Sequence, residues 1–324
     1  MLTCMVAEKI GPGELNLKLV QLIRENLIVE GASAFRSASI AFAYALIALD
    51  LPKESGIIIS ALAPAWHYQS VIQLGYVPVI IDVDPDTALV TAEGVEEGIE
   101  RGGRLLLLHE ALGFMPDLPA LLAFNIPVIE DVSESVGASL TEITAGHFGI
   151  FSILGLEERD LLTAGGGAIL LAPNRREAVV LKKLTEEAPL TDILPDINCA
   201  LAYVQLKEIN RNADLRKEIN TLFIRSLLQG RHKTIIQQGD GIPSVYSFPV
   251  ILSSGYKEVK QYVNRKEIEI ELAFSGSIAA KLGESLEGCI NAKSLLMRCV
   301  LFPLYPRLGS SNAAKIAKVL ATLP

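Results

Sequence analysis

The chain has 324 residues, 50% of them hydrophobic, and 29 Lys and Arg against 37 Asp and Glu give a formal net charge of −8. An acidic chain with scattered basic residues repels a phosphate backbone, so nucleic acid is not an expected partner. The longest apolar run, Ile40 to Leu49, falls well short of the roughly 20 residues a membrane helix needs, and no membrane association is expected. The opening MLTCMVAEKIGPG has no basic start followed by a sustained apolar core, so no secretory signal is read and the cytoplasm is the expected compartment.

Length and hydrophobicity suit a large domain plus a smaller one. The first two-thirds alternates helical-period segments with short β-branched runs, the pattern of a wound α/β domain. Strands are predicted over 56–62, 77–83, 104–110, 126–131, 148–154 and 167–172, and their nearly continuous Val, Ile and Leu implies a sheet covered on both faces. Helices are predicted over 37–50, 64–75, 90–101, 116–124 and 174–185. Gly165, Gly166 and Gly167 follow one strand and open another, which fits a tight hairpin turn better than a phosphate cradle.

From about Asp192 the composition shifts to a long charged helical stretch, DINCALAYVQLKEINRNADLRKEINTLFIRSLL, read as one connecting helix. Beyond Gly239–Pro243 come a strand (VYSFPVIL), a helix, a charged segment and a final helix from Ser310, a smaller α/β domain. The expected division is residues 1–205 and 206–324.

Asp131 ends a buried strand, the edge at which open α/β sheets bind ligands, although an aspartate there also caps helices. His67, His109, His147 and His232 are far apart and define no metal site by spacing; only His109, with Glu110 beside it, is expected near a cleft. Cys4, Cys199, Cys289 and Cys299 stand in apolar contexts and read as inert buried thiols.

Four segments in order, GYVPVIIDVDPDT (75–87), IPVIEDVSESVGA (126–138), ALAYVQLKEI (200–209) and FPLYPRL (302–308), resemble the DegT/DnrJ/StrS family of nucleotide-sugar aminotransferases and dehydratases. The resemblance covers nearly the whole chain. It implies the three-layer fold type I of pyridoxal-phosphate (PLP) transferases: a large domain on a mixed, mostly parallel sheet, with a smaller C-terminal α/β domain. It further implies a homodimer with PLP and a sugar nucleotide in a cleft between subunits.

In that family a carboxylate partners the pyridine nitrogen and keeps the ring electron-poor; Asp131 matches it. Glu134 stands where the family has a glutamine near the ring hydroxyl, and Val136 where it has a histidine. Ala38 and Ser39 match the Gly-Thr pair of the phosphate cup, just after Arg36 and Ser37, though Ser39 also reads as an N-cap. Thr191, Asp192 and Ile193 replace the cross-subunit Asn-Tyr-Arg, and an aspartate there repels phosphate. The stacking aromatic falls at Pro64, followed by Trp66, His67 and Tyr68, so Trp66 is either the stacking ring or helix packing. Ser152 belongs to the family's Phe-Ser motif.

The aldimine lysine should follow that motif. Counting forward from Phe151–Ser152 reaches Glu157, counting back from Gly166–Gly167 reaches Arg159, and Glu158 lies between. The window Leu154 to Ala164 holds no lysine, nor the histidine of the dehydratase branch, and arginine cannot serve as a Schiff-base amine. No catalytic residue is therefore assigned. The expected function is a catalytically degenerate family member that keeps a cleft for a sugar nucleotide or similar phosphorylated ligand. The alternative is an active PLP- or PMP-dependent aminotransferase or lyase with a non-standard site. An unrelated nucleotide-binding module is a third, weaker reading.

Overall fold

The computed structural model describes residues 5–6, 10–237 and 239–324; Cys4 lies outside them. The apolar runs become β2 (Gly56–Ser60), β3 (Val77–Ile81), β4 (Gly103–His109), β5 (Val128–Asp131), β8 (Phe151–Gly155) and β9 (Ala168–Ala172). With β1 (Gly31–Phe35) they form a seven-stranded sheet in the order β1-β9-β8-β5-β4-β2-β3. The β3-β2-β4-β5-β8 core is parallel, and β9 and β1 pair antiparallel at one side.

Alternation along β2 distributes the layers. Ile58 joins a core with Leu19 and Ile23 of α1 (Glu14–Leu27), Val95 of α4 (Ala92–Glu100), Leu118 of α5 (Leu118–Leu122) and Leu206 of α7 (Asp196–Lys207). Ile57 and Ile59 face the opposite core, built with Phe42 and Leu46 of α2 (Ala38–Leu49), Val71 of α3 (Ala65–Gln73) and Leu181 of α6 (Arg175–Glu186). A fully buried sheet between two helical layers is the predicted three-layer arrangement. A further core draws on Phe223 and Leu227 of α8 (Ile209–Leu227), Val259 of α9 (Tyr256–Asn264) and Ile316 of α12 (Ser310–Leu320). They pack on the antiparallel sheet of β11 (Phe248–Ile251), β13 (Cys299–Phe302) and β12 (Glu271–Leu272), ordered β11-β13-β12.

Three expectations change. The long connecting helix is two helices, α7 and α8, separated at Glu208. Strand β1 was not predicted: its sequence GASAF lacks the β-branched signal, and small residues serve here for close approach. A Cβ on Gly31 would stand 2.7 Å from the Ala178 Cβ of α6. The three glycines are no tight turn, because residues 156–167 form a long connection between β8 and β9. Gly167 has φ +112° at a point where a Cβ would stand 2.4 Å from Leu194 Cδ1. Gly167→Ala is expected to cost about 2–4 kcal/mol in urea unfolding, from backbone strain and overpacking together.

Among the described residues no helix is long and apolar enough to cross a membrane. Cys199, Cys289 and Cys299 are buried, and burial pushes the Cys289 and Cys299 thiols up to about 11 and about 12.

Candidate functional site

The parallel register decides what meets at the carboxyl edge of the sheet. His109 and Asp131 are partners in the β4–β5 ladder, so both side chains emerge on one face at one level. Helix α3 begins just after β2 and lowers His67, its third residue, onto the same spot. Asp131 Oδ2 lies 2.8 Å from His67 Nε2 and 3.4 Å from His109 Nδ1. Its Oδ1 accepts from Ser133 N at 3.2 Å and Ser133 Oγ at 2.5 Å, while Ser133 Oγ accepts from Gly155 N at 2.9 Å. Burial alone would raise the Asp131 carboxyl; the hydrogen bonds and charge of His109 and His67 outweigh it and hold it well below the usual carboxylate range. Burial lowers His67, whereas for His109 the carboxylates of Asp131 and Glu134 overcome the same burial and raise it.

Glu134 accepts from Leu112 N at 2.5 Å and so holds the tight turn after β4, where Leu112 has φ +58°. Its carboxyl is raised by burial. His109 Nε2 stands 3.8 Å from Glu134 Oε2.

These groups open onto a cleft of about 1690 Å³ that Ala38, Ser39, Trp66, Asp131 and Glu134 all line. Ser152 does not line it: it is fully buried and donates to Gly146 O and Glu130 Oε1. The cap of α2 is Ser37, whose Oγ accepts from Ile40 N at 3.2 Å, so Ser39 is free of that role and accepts from Ser70 Oγ instead. Trp66 packs edge-on to Phe42 at 6.3 Å and against His67 at 4.2 Å. Asp192 accepts from the Tyr44 hydroxyl at 3.1 Å.

The three residues at the lysine position diverge. Glu157 Oε1 accepts from Gly167 N at 3.4 Å, filling the glycine-rich turn with a carboxylate. Arg159 pairs with Glu271 at 2.9 Å, with both side chains largely exposed, and Glu158 is exposed on the cleft wall. The residue that turns inward is Asp160, which the sequence reading passed over. It lies against Gly155, where a Cβ would stand 2.2 Å from Asp160 Oδ2. Burial, then the charges of Asp131, Glu134 and Glu157, push its carboxyl up to about 7. A carboxyl raised in the folded state contributes stability below its ordinary value of 3.8 that is lost as pH rises through about 7. Because Asp160 is half-buried, Asp160→Asn is expected to gain about 1–2 kcal/mol over wild type at roughly pH 8 and little near pH 4, read by urea unfolding at both.

His67 is the principal correction. Sequence spacing placed only His109 near the cleft, yet the fold brings His67, His109 and Asp131 together with one ligand atom from each within 4.8 Å of the others. His109 and Asp131 end parallel strands and His67 follows the end of β2, which is the signal that gathers them.

The family model for DegT/DnrJ/EryC1/StrS aminotransferases matches residues 3–321. The chain belongs to this family. Among solved structures, the aminotransferase TlmJ from Streptoalloteichus hindustanus matches with TM-score 0.88 at 16% identity, covering 99% of this chain and 93% of that one. A GDP-4-keto-6-deoxymannose-3-dehydratase variant with bound GDP-perosamine gives 0.86 at 17%, over 98% and 95%. The E. coli GDP-4-keto-6-deoxy-D-mannose-3-dehydratase with bound hydrated PLP gives 0.86 at 18%, again over 98% and 95%. At such identities the likeness shows the fold type I architecture and leaves this DegT-family chain's chemistry to its own residues.

Proposed function

We propose that this DegT-family protein has lost Schiff-base transamination and uses its inherited cleft to bind a sugar nucleotide or similar phosphorylated ligand. The observation that carries the reading is the missing amine: the window Leu154 to Ala164 holds no lysine. Asp131 is also already in use, its Oδ2 taken by His67 at 2.8 Å and its Oδ1 by Ser133. The segment that should present the amine presents Asp160, a carboxyl. These residues do not supply the amine that an aldimine with PLP requires, and no step is derived through it. Space and charge support the ligand class: the cleft exceeds the roughly 300–1,000 Å³ of ordinary small-molecule sites, and Lys217 and Arg307 line it. The dehydratase structure with bound GDP-perosamine supplies the sugar-nucleotide precedent. The reading includes a cytoplasmic homodimer, with residues 1–205 supplying the strand ends and residues 206–324 the opposite wall.

The test is to mix purified protein with PLP or PMP, separate it from free cofactor, and record absorbance before and after borohydride. Loss of cofactor on separation is the expected result. Lys217 carries the second reading, an active enzyme with a lysine from elsewhere, because it is the only lysine among the described residues lining the cleft. A borohydride-fixed adduct on Lys217 would establish that reading and defeat the first.

A further inference from the structure

We propose that His67, His109 and Asp131 form a binding site for one divalent transition-metal ion on the floor of the cleft. The inference rests on the reading that Asp131 no longer serves a pyridine ring.

One nitrogen from each imidazole and one Asp131 oxygen lie within 4.8 Å of one another, and all three side chains are buried. Metal bonds of about 2.0–2.2 Å in a tetrahedral site put neighbouring ligand atoms roughly 3.3 Å apart. Asp131 Oδ2 stands 2.8 Å from His67 Nε2 and 3.4 Å from His109 Nδ1, so these two pairs need shifts of only about half an ångström, and the two imidazole nitrogens lie within 4.8 Å of each other.

A second observation is a poorly satisfied nitrogen. His109 Nδ1 makes no well-formed hydrogen bond although the residue is only 4% exposed, and its contact with Asp131 Oδ2 is long at 3.4 Å. A buried imidazole nitrogen left unpaired is costly, and a lone pair given to a metal removes the cost. Two imidazoles and one carboxylate suit Zn²⁺ or Fe²⁺ and are too nitrogen-rich for Mg²⁺ or Ca²⁺. Outer support is present for one ligand: Ser133 holds the other Asp131 oxygen; His109 Nε2 faces Glu134 at 3.8 Å, and the far nitrogen of His67, Nδ1, has no hydrogen-bond partner. Because His109 and Asp131 line the cleft, the remaining coordination position opens to a water or to an oxygen of the bound ligand.

The experiment strips the full-length protein with EDTA and titrates it with Co²⁺, whose visible ligand-field bands report low-coordinate nitrogen and oxygen ligands. Bands that saturate at one equivalent per chain and bleach on adding Zn²⁺ are expected. His67→Gln and His109→Gln, checked for fold by circular dichroism, should each weaken Co²⁺ binding by more than the roughly 10–100-fold typical of outer-shell losses. His147→Gln, away from the cleft, should leave it unchanged. A featureless wild-type titration overturns the proposal without needing any variant, as do bands that persist in both cleft variants. The PLP experiment run in parallel separates the two readings. Neither cofactor nor Co²⁺ signal sinks the metal site alone; retained PLP without Co²⁺ bands defeats both.

Discussion

Glu130→Ala should cost about 3–5 kcal/mol of folding stability, among the largest losses expected from a single polar side chain here. Glu130 is fully buried beneath the cleft floor. Its Oε1 accepts from Phe148 N at 2.9 Å and Gly149 N at 2.6 Å, and its Oε2 from Gly146 N at 3.0 Å. Truncation strands three backbone donors, two of them buried, and frees the loop that leads into β8. The neighbouring Glu110 makes the opposite case. It is equally buried, its Oε2 accepts from Ser135 Oγ, and its Oε1 has no partner. Burial first, then the Glu130 charge, raises its carboxyl well above the ordinary range, which favours its neutral form. Glu110→Gln replaces a neutral acid by a neutral amide of the same shape, and a change within about 1 kcal/mol is expected near pH 4, where the unfolded carboxyl is largely neutral as well. The sign of the pH effect follows from the raised carboxyl: the stability it contributes is present below its unfolded value of about 4.3 and is lost as pH rises toward the folded one. The Gln variant should therefore gain on wild type as pH rises, read by urea unfolding at roughly pH 5 and pH 8. A large loss in Glu110→Gln at both values would show that this carboxyl is ionised and structurally needed.

What could be read in advance follows from how each feature is encoded. Strands β2 to β5 were legible because a sheet buried on both faces demands nearly continuous Val, Ile and Leu, and Asp131 was legible because it closes one of those runs. Strand β1 was hidden because its packing against α6 requires Gly31 and small neighbours, the opposite of strand propensity. Strand β13 was hidden because α11 (Ile290–Arg298) passes directly into Cys299 with no turn residue between them. At the site, Trp66 and Glu134 were found by position in the chain. His67 and Asp160 were not, because their meaning depends on contacts across the fold: His67 with a carboxylate far along the chain, and Asp160 with the bare Cα of Gly155. A linear count can show that an amine is missing; it cannot show which side chain turns into the vacated direction.

The second large effect concerns the Asp131 carboxylate, and a double-mutant cycle resolves it. Asp131→Asn keeps the shape but removes the charge from between two buried imidazoles, one of which, His109, is raised by that carboxylate together with Glu134. Breaking a buried pair from one side costs about 3–5 kcal/mol, and that loss is expected in urea unfolding at neutral pH. His67→Gln removes a partner whose own pKa is lowered by burial, and leaves Asp131 with Ser133 and His109, so about 1–2 kcal/mol is expected. If the 2.8 Å contact is the principal interaction of His67, the double variant should cost less than the sum of the two by about 1–3 kcal/mol. Additive losses would mean that His67 stabilises the floor by packing beneath Trp66 rather than through the carboxylate, and Asp131 would then retain an oxygen for another partner. The coupling energy thus measures how firmly Asp131 is committed to His67, and so how much of the carboxylate is left for a ligand in the cleft.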